Sequence, residues 1–181
     1  LDQIPEGHDG WLLFLDEINA APPSIQAAAY KLVLDRQIGA HNLHKRVAIV
    51  CAGNKSTDKA IVNRLSTAMQ SRMIHLNLMV DPEAWLDWAN ASDIDHRVIS
   101  FIKFRPELLH KFNPSHADDT FASPRTWEFL SKIIKDKPKF TRTDHAVLTG
   151  TVGEGPATEF RAFCDVYKDL PTIEDMVENP T

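Results

Sequence analysis

Four apolar residues, Leu12-Leu13-Phe14-Leu15, run directly into two carboxylates, Asp16-Glu17. An apolar run without alternation suits a strand covered on both faces, the pattern of a parallel sheet between helices. Two charged side chains would be strongly destabilising inside such a sheet, so the strand must stop at Asp16, at its carboxyl end. Open α/β sheets bind ligands at that edge. There Asp16 could hold a magnesium ion, directly or through water, and Glu17 could polarise an attacking water. The alternative is a solvated strand end without chemistry.

The next segments repeat the alternation of helix and strand. Ile25, Ala28, Ala29, Leu32 and Val33 recur at helical spacing, two prolines precede Ser24, and the helix runs to Arg36 before Gly39 breaks it. Val47 to Ala52 is a second buried-strand pattern and ends in Gly53-Asn54. An amide at a strand tip can donate to a phosphate oxygen or orient a water; otherwise it forms a turn. Ile61, Leu65, Ala68 and Met69 make one helix face, and Met73 to Leu78 alternates like a third strand. Arg72 stands at that helix-to-strand junction, with Arg64 as a rival; each is otherwise a surface arginine in an ordinary ion pair. Further on, Ser123 suits an N-cap and Pro124 a first helical position. Glu128 suits the helix start, and Trp127, Leu130, Ile133 and Ile134 supply a buried face. Arg125 is then held on the first turn, away from that face.

Taken in order, these elements resemble four motifs of the AAA+ ATPases. Asp16-Glu17 resembles Walker B, Asn54 sensor 1, Arg72 the arginine finger, and Ser123-Pro124-Arg125 sensor 2. Asp16-Glu17-Ile18-Asn19, followed by an apolar helix and a short β excursion, resembles the MoxR branch. The resemblance spans roughly residues 10 to 135 and lies in order and spacing. It implies ATP and Mg2+ as cofactors, with Asp16 on the metal and nucleotide, Glu17 activating water and Asn54 orienting it beside the nucleotide. It also implies that Arg125 contacts the γ-phosphate and that Arg72 enters the neighbouring subunit's site in a ring, expected to be a hexamer. A remodelled protein substrate, with a von Willebrand factor A-domain partner, is implied by the same likeness.

There are departures from the family pattern. Asn54 is followed by Lys55 rather than proline, and residues 61–65 lack a Leu-Pro-Glu-Ala wording. A Gly-x-x-x-x-Gly-Lys-Ser/Thr loop is absent from the 181 residues. The expectation is therefore a fragment whose phosphate loop precedes Leu1 and which is inactive alone. Two readings of other classes stay open: a nucleic-acid-linked motor subunit, and a non-catalytic scaffold without a phosphate loop.

Composition bounds the rest. A chain of 181 residues with 43% hydrophobic content can build one or two cored domains. Twenty basic against twenty-five acidic residues give −5, and no basic block suggests a general grip on nucleic acid. His41 and His44 lie in an expected loop without a ligand cluster, so zinc is not expected. Cys51 and Cys164 form no disulfide framework, and neither a leader nor a long apolar run is present, so a cytoplasmic location is expected. The expected fold is α/β followed by all-α. Residues 1–80 would form a partial AAA+ core of parallel sheet and flanking helices. Residues 81–135 would form a helical lid with Trp85, Trp88 and Trp127 in its core and short helices at 83–91, 94–104 and 106–112. Residues 136–181 would add a helical extension, in which 149–156 is a turn into a helix at 157–167 packing Phe160, Phe163 and Cys164 on the lid. A last helix is expected at 172–178.

Overall fold

The computed structural model describes residues 3–55, 63–113, 115 and 119–167. Over these the chain forms a two-stranded parallel sheet, a two-stranded hairpin and seven helices, α/β first and helical after. It divides into two compact units, Leu1–Asn77 and Leu78–Thr181, close to the boundary expected near residue 80.

In the first unit, β1 (Trp11–Leu15) leads to α1 (Pro23–Leu34), which returns through the hairpin β2 (Gln37–Ile38) and β3 (His41–Asn42) to β4 (Val47–Cys51). Pro22 stands at the N-cap and Pro23 inside the first turn, where a missing N–H costs nothing. Gly39 supplies the positive φ that turns the hairpin, and His41 lies in β3 rather than in a loop. β1 and β4 pair in parallel, Trp11 opposite Val47 and Leu15 opposite Cys51.

Three expectations are corrected here. β1 is not covered on both faces: Leu12 is 66% and Phe14 54% exposed, because the sheet has two strands among the described residues and α1 buries no residue fully. Residues 73–78 form no third strand, and Ile74 and Leu76 are 90% and 83% exposed. An extended segment becomes a strand only against a partner backbone, and no described residue supplies one. The helix expected through Ile61 to Met69 shrinks to α2 (Thr67–Gln70), capped by the Ser66 hydroxyl accepting from the Met69 N–H at 3.2 Å. Ile61 and Val62 lie outside the described residues, and Asn63 bonds to the carbonyls of Asn19 and Ala21.

The second unit is built from α3 (Pro82–Ala91), α4 (His96–Phe104), a 3-10 turn at Pro106–Leu108, α5 (Pro124–Ile134), α6 (Arg142–Val152) and α7 (Glu154–Tyr167). Side-chain caps start each of the first four helices: Asp81, Asp95, Ser123 and Thr141 accept from first-turn N–H groups. Gly153, at φ 88°, makes the corner between α6 and α7, so part of the glycine-rich 149–156 stretch is helical rather than a turn. Phe101, Trp127 and Phe160 meet with ring centroids 5.3 to 5.6 Å apart, and the Trp127 indole N–H donates to the Leu108 carbonyl at 2.9 Å.

Residues of α6 and α7 share this one core with α3 to α5, so no boundary falls at 135. Phe160 and Cys164 are buried in it and Phe163 packs against it. Trp85 and Trp127 are core residues, but Trp88 and Ile133 are exposed, displaced from the apolar stripe of their helices. Only a 3-10 turn forms in 106–112, and the helix expected at 172–178 lies outside the described residues. No helix among the described residues is long and apolar enough to cross a membrane.

A buried ion pair locks the helical unit. Arg97 donates from Nε and Nη2 to the two carboxylate oxygens of Asp95, at 2.9 and 2.7 Å. It also donates to the carbonyls of Ile134 (2.8 Å) and Lys137 (2.7 Å), and its guanidinium lies 5.3 Å from the Phe140 ring centre. A cation thus satisfies carbonyls at the negative end of α5, while the Ser131 hydroxyl accepts from the Asp95 N–H at 2.7 Å. Burial pushes the Asp95 carboxyl upward, but hydrogen bonds and charge from Arg97 outweigh it and hold it below the ordinary carboxylate range.

Candidate functional site

Parallel pairing sets the geometry of the candidate site. Because Leu15 faces Cys51 in the register, the residues that follow both strands emerge at one end of the sheet. Asp16, Glu17 and Asn54 are therefore brought to a common edge, and all three are exposed. The chain leaves β1 through an elbow in which the Glu17 N–H donates to Asp16 Oδ1 at 2.9 Å and the Ala20 N–H to the Glu17 carbonyl at 2.8 Å. Glu17 has φ 51°, a left-handed conformation that costs a non-glycine residue about 1 kcal/mol or more. Strain of this kind persists only where surrounding bonds enforce it.

Asn19, named in the sequence only as the last residue of Asp16-Glu17-Ile18-Asn19, ties this turn to the end of β4. Its side-chain amide donates to the Asn54 carbonyl at 2.7 Å, and its Oδ1 accepts from the Asn54 N–H at 3.2 Å. Both backbone groups of Asn54 are thereby clamped to the turn that carries Asp16 and Glu17. The ladder continues past the strand ends, with the Ile18 N–H donating to the Ala52 carbonyl at 3.0 Å. Gly53 leaves room for this contact: a Cβ there would lie 2.4 Å from Asn19 Oδ1, so the amide or the turn would have to shift. Asn63 closes the arrangement from the other side, donating from its backbone to the Asn19 carbonyl (2.6 Å) and from its side chain to the Ala21 carbonyl (3.0 Å). The available signal was an amide two residues after the paired acids and another inside an apolar stretch, both of which turn chemistry alone explains equally well.

Arg72 lies in the same unit just beyond α2, exposed, and donates from Nη1 to the Ala68 carbonyl at 3.0 Å. It thus caps its own short helix. Arg64 is exposed in the non-helical stretch before α2. Arg125 belongs to the helical unit, exposed in the first turn of α5. There the cap is a box between Ser123 and Thr126, whose N–H donates to the Ser123 hydroxyl at 3.2 Å, so Glu128 plays no part in it.

Among the described residues no group of three or more His, Cys, Asp or Glu side chains is arranged to hold a metal. A magnesium ion delivered on nucleotide phosphates needs only one or two carboxylates, and Asp16 fits that requirement, with Oδ1 already oriented by the Glu17 N–H. Beside the edge, burial pushes the Cys51 thiol up. Paired acids and an asparagine anchored through its backbone at one sheet edge can together position a cation, a water and an anionic ligand. No family model matches the chain, and no curated protein or solved structure matches it at a significant level.

Proposed function

We propose that the chain carries part of the catalytic edge of an AAA+-type ATPase of the MoxR kind, acting in a ring on a protein partner. The observation that carries this reading is the clamp from the Asn19 side chain to the backbone of Asn54, which ties the residue at one strand end to the turn that carries the paired acids. In this reading Asp16 positions magnesium on ATP, Glu17 takes the proton of the attacking water, and Asn54 orients that water. Bound Mg2+ would supply charge neutralisation on the phosphates. Arg125 would contact the γ-phosphate, and Arg72 would exchange its bond to the Ala68 carbonyl for the nucleotide of a neighbouring subunit. The loop that cradles the phosphates would come from outside these residues.

The left-handed elbow at Glu17 supports this assignment further, because strain at a strand end is a recurrent property of positioned catalytic groups. The test is ATP turnover in the whole protein that carries these residues. Glu17→Gln should lower kcat by about a hundredfold or more with little change in ATP binding, as loss of a positioned general base does. Turnover near wild type in that variant would refute the assignment.

A further inference from the structure

The opposite end of the same sheet carries a second concentration of polar chemistry. The segment before β1 and the turn before β4 border a shallow, open cleft of about 600 Å³, lined by residues 3–8 and by His44, Lys45 and Arg46. Among the described residues of this lining Glu6 is the single carboxylate, against one lysine, one arginine and two imidazoles, in a chain whose net charge is −5. We infer that this cleft binds a small phosphate-class anion, at a site separate from the Asp16 edge.

The cationic turn is preorganised. Arg36, held at φ 54°, donates to the carbonyls of His44 (3.2 Å) and Val47 (2.5 Å), and the Val47 N–H donates to the His44 carbonyl at 3.0 Å. The facing segment is held equally close: the Trp11 N–H donates to the Arg46 carbonyl at 3.1 Å. A Cβ at Gly10 would lie 2.4 Å from that carbonyl, so only glycine allows this approach.

Hydrogen bonding also fixes which ring nitrogens carry protons. His44 Nδ1 accepts from the Arg46 N–H at 3.2 Å, which leaves the proton of the neutral ring on Nε2 as a donor. His8 Nδ1 contacts the Glu6 carbonyl at 3.2 Å, and since a carbonyl only accepts, that nitrogen donates. A turn with a fixed backbone carries an ammonium, an imidazole donor and a guanidinium that donates from Nη1 to the Asp9 carbonyl at 3.4 Å and keeps further N–H donors, the charge-assisted contacts that phosphate oxygens take. Parallel strands of five residues separate this cleft from the acids by about 15 Å, so the two ends have separable ligands.

The test is a titration of sodium pyrophosphate into the isotope-labelled 181-residue chain, followed amide by amide. Saturable shifts should appear at Gly7, His8, Lys45 and Arg46 and be absent at Glu17, Asn54, Lys103 and Lys132. Lys45→Glu, an exposed charge reversal, should weaken binding at least tenfold, and Lys45→Ala about threefold to tenfold. No saturable shift at millimolar pyrophosphate would overturn the inference. So would equal shifts at Lys103 and Lys132, or shifts confined to the Asp16 edge, which would bear on the proposed ATPase reading instead. A thymidine oligonucleotide that binds this cleft where pyrophosphate does not would also overturn it.

Discussion

In the helical unit Trp127, Phe101 and Phe160 are withdrawn from water and share one contiguous core. In the α/β unit Leu12, Phe14, Ile25 and Val50 stay exposed, and Ile18, Leu43, Val47 and Met69 are the buried apolar residues among those described. The contrast follows from how each architecture closes. Helices satisfy their own backbones, so packing a few apolar stripes completes a core. A strand satisfies its backbone only through neighbours, and a parallel pair with open edges leaves both its hydrogen-bonding edges and its apolar faces partly unused. Stability should therefore be concentrated in the helical unit and the chemistry of strand ends in the other.

The largest effect should come from Trp127→Ala. It empties the centre of the aromatic cluster and leaves the Leu108 carbonyl without its donor, costing about 3–5 kcal/mol. Hydrogen exchange should show amides of α4, α5 and α7 losing protection while those of β1 and β4 keep theirs. Equal loss in both units would break the comparison.

Removing one partner of the buried ion pair comes next. Asp95→Ala strands the Arg97 guanidinium and should cost about 3 kcal/mol in the helical unit. The pH dependence has a definite sign. The folded carboxyl of Asp95 lies below its ordinary value, so its contribution is fully present above the ordinary carboxylate pKa and is lost as pH falls through the folded value. Asp144 shifts the same way, through hydrogen bonds from Lys137 and Thr141. Acid melts of the wild type should thus lose stability below the ordinary carboxylate range, and Asp95→Asn should flatten that slope without abolishing it. A variant with an unchanged slope would remove the pair from the account.

In the α/β unit the sharpest probe is Gly53→Ala. Its new Cβ would press on Asn19 Oδ1, and either the amide swings away or the turn shifts, at about 1–2 kcal/mol. Asn19→Ala should cost about 1 kcal/mol by removing both bonds to Asn54. Amide exchange at Ile18 and Asn54 should speed up in both variants while the helical unit is unchanged. If Asn19→Ala leaves exchange at Asn54 as it was, the clamp is not what holds this edge.

These particulars show why some of the fold was legible in advance. The ends of β1 and β4 could be read because charge or an amide interrupts an apolar run. Ser123-Pro124 could be read because caps are local chemistry. The strand at 73–78 could not be judged from its alternation, since pairing depends on a partner elsewhere in space. Exposure of Leu12 and Phe14 was equally hidden, because an apolar run reports what a strand could bury and not what covers it. The bonding roles of Asn19 and Asn63 could not be read because a bond across 35 residues, Asn19 to Asn54, leaves no periodic trace. Helix α6 was not legible between the charged, proline-containing run Lys135-Asp136-Lys137-Pro138-Lys139 and a glycine-rich stretch, although Thr141 and Asp144 make a regular capping box.

The smallest effect tests the comparison most directly. Phe14 is 54% exposed on β1, so Phe14→Ser withdraws little apolar surface from a core and should change the α/β unit's stability by no more than about 0.5 kcal/mol. A loss above about 1.5 kcal/mol would mean that this face is covered in solution, and the description of an open sheet would fail. A neutral result with improved solubility would sharpen it, since an exposed aromatic on an open strand favours association. The paired substitution Leu130→Ser, on a fully buried residue of α5, should by contrast cost several kcal/mol in the same assay. Two apolar-to-serine changes would then separate the units by the one property in which they differ: whether an apolar side chain has found anything to pack against.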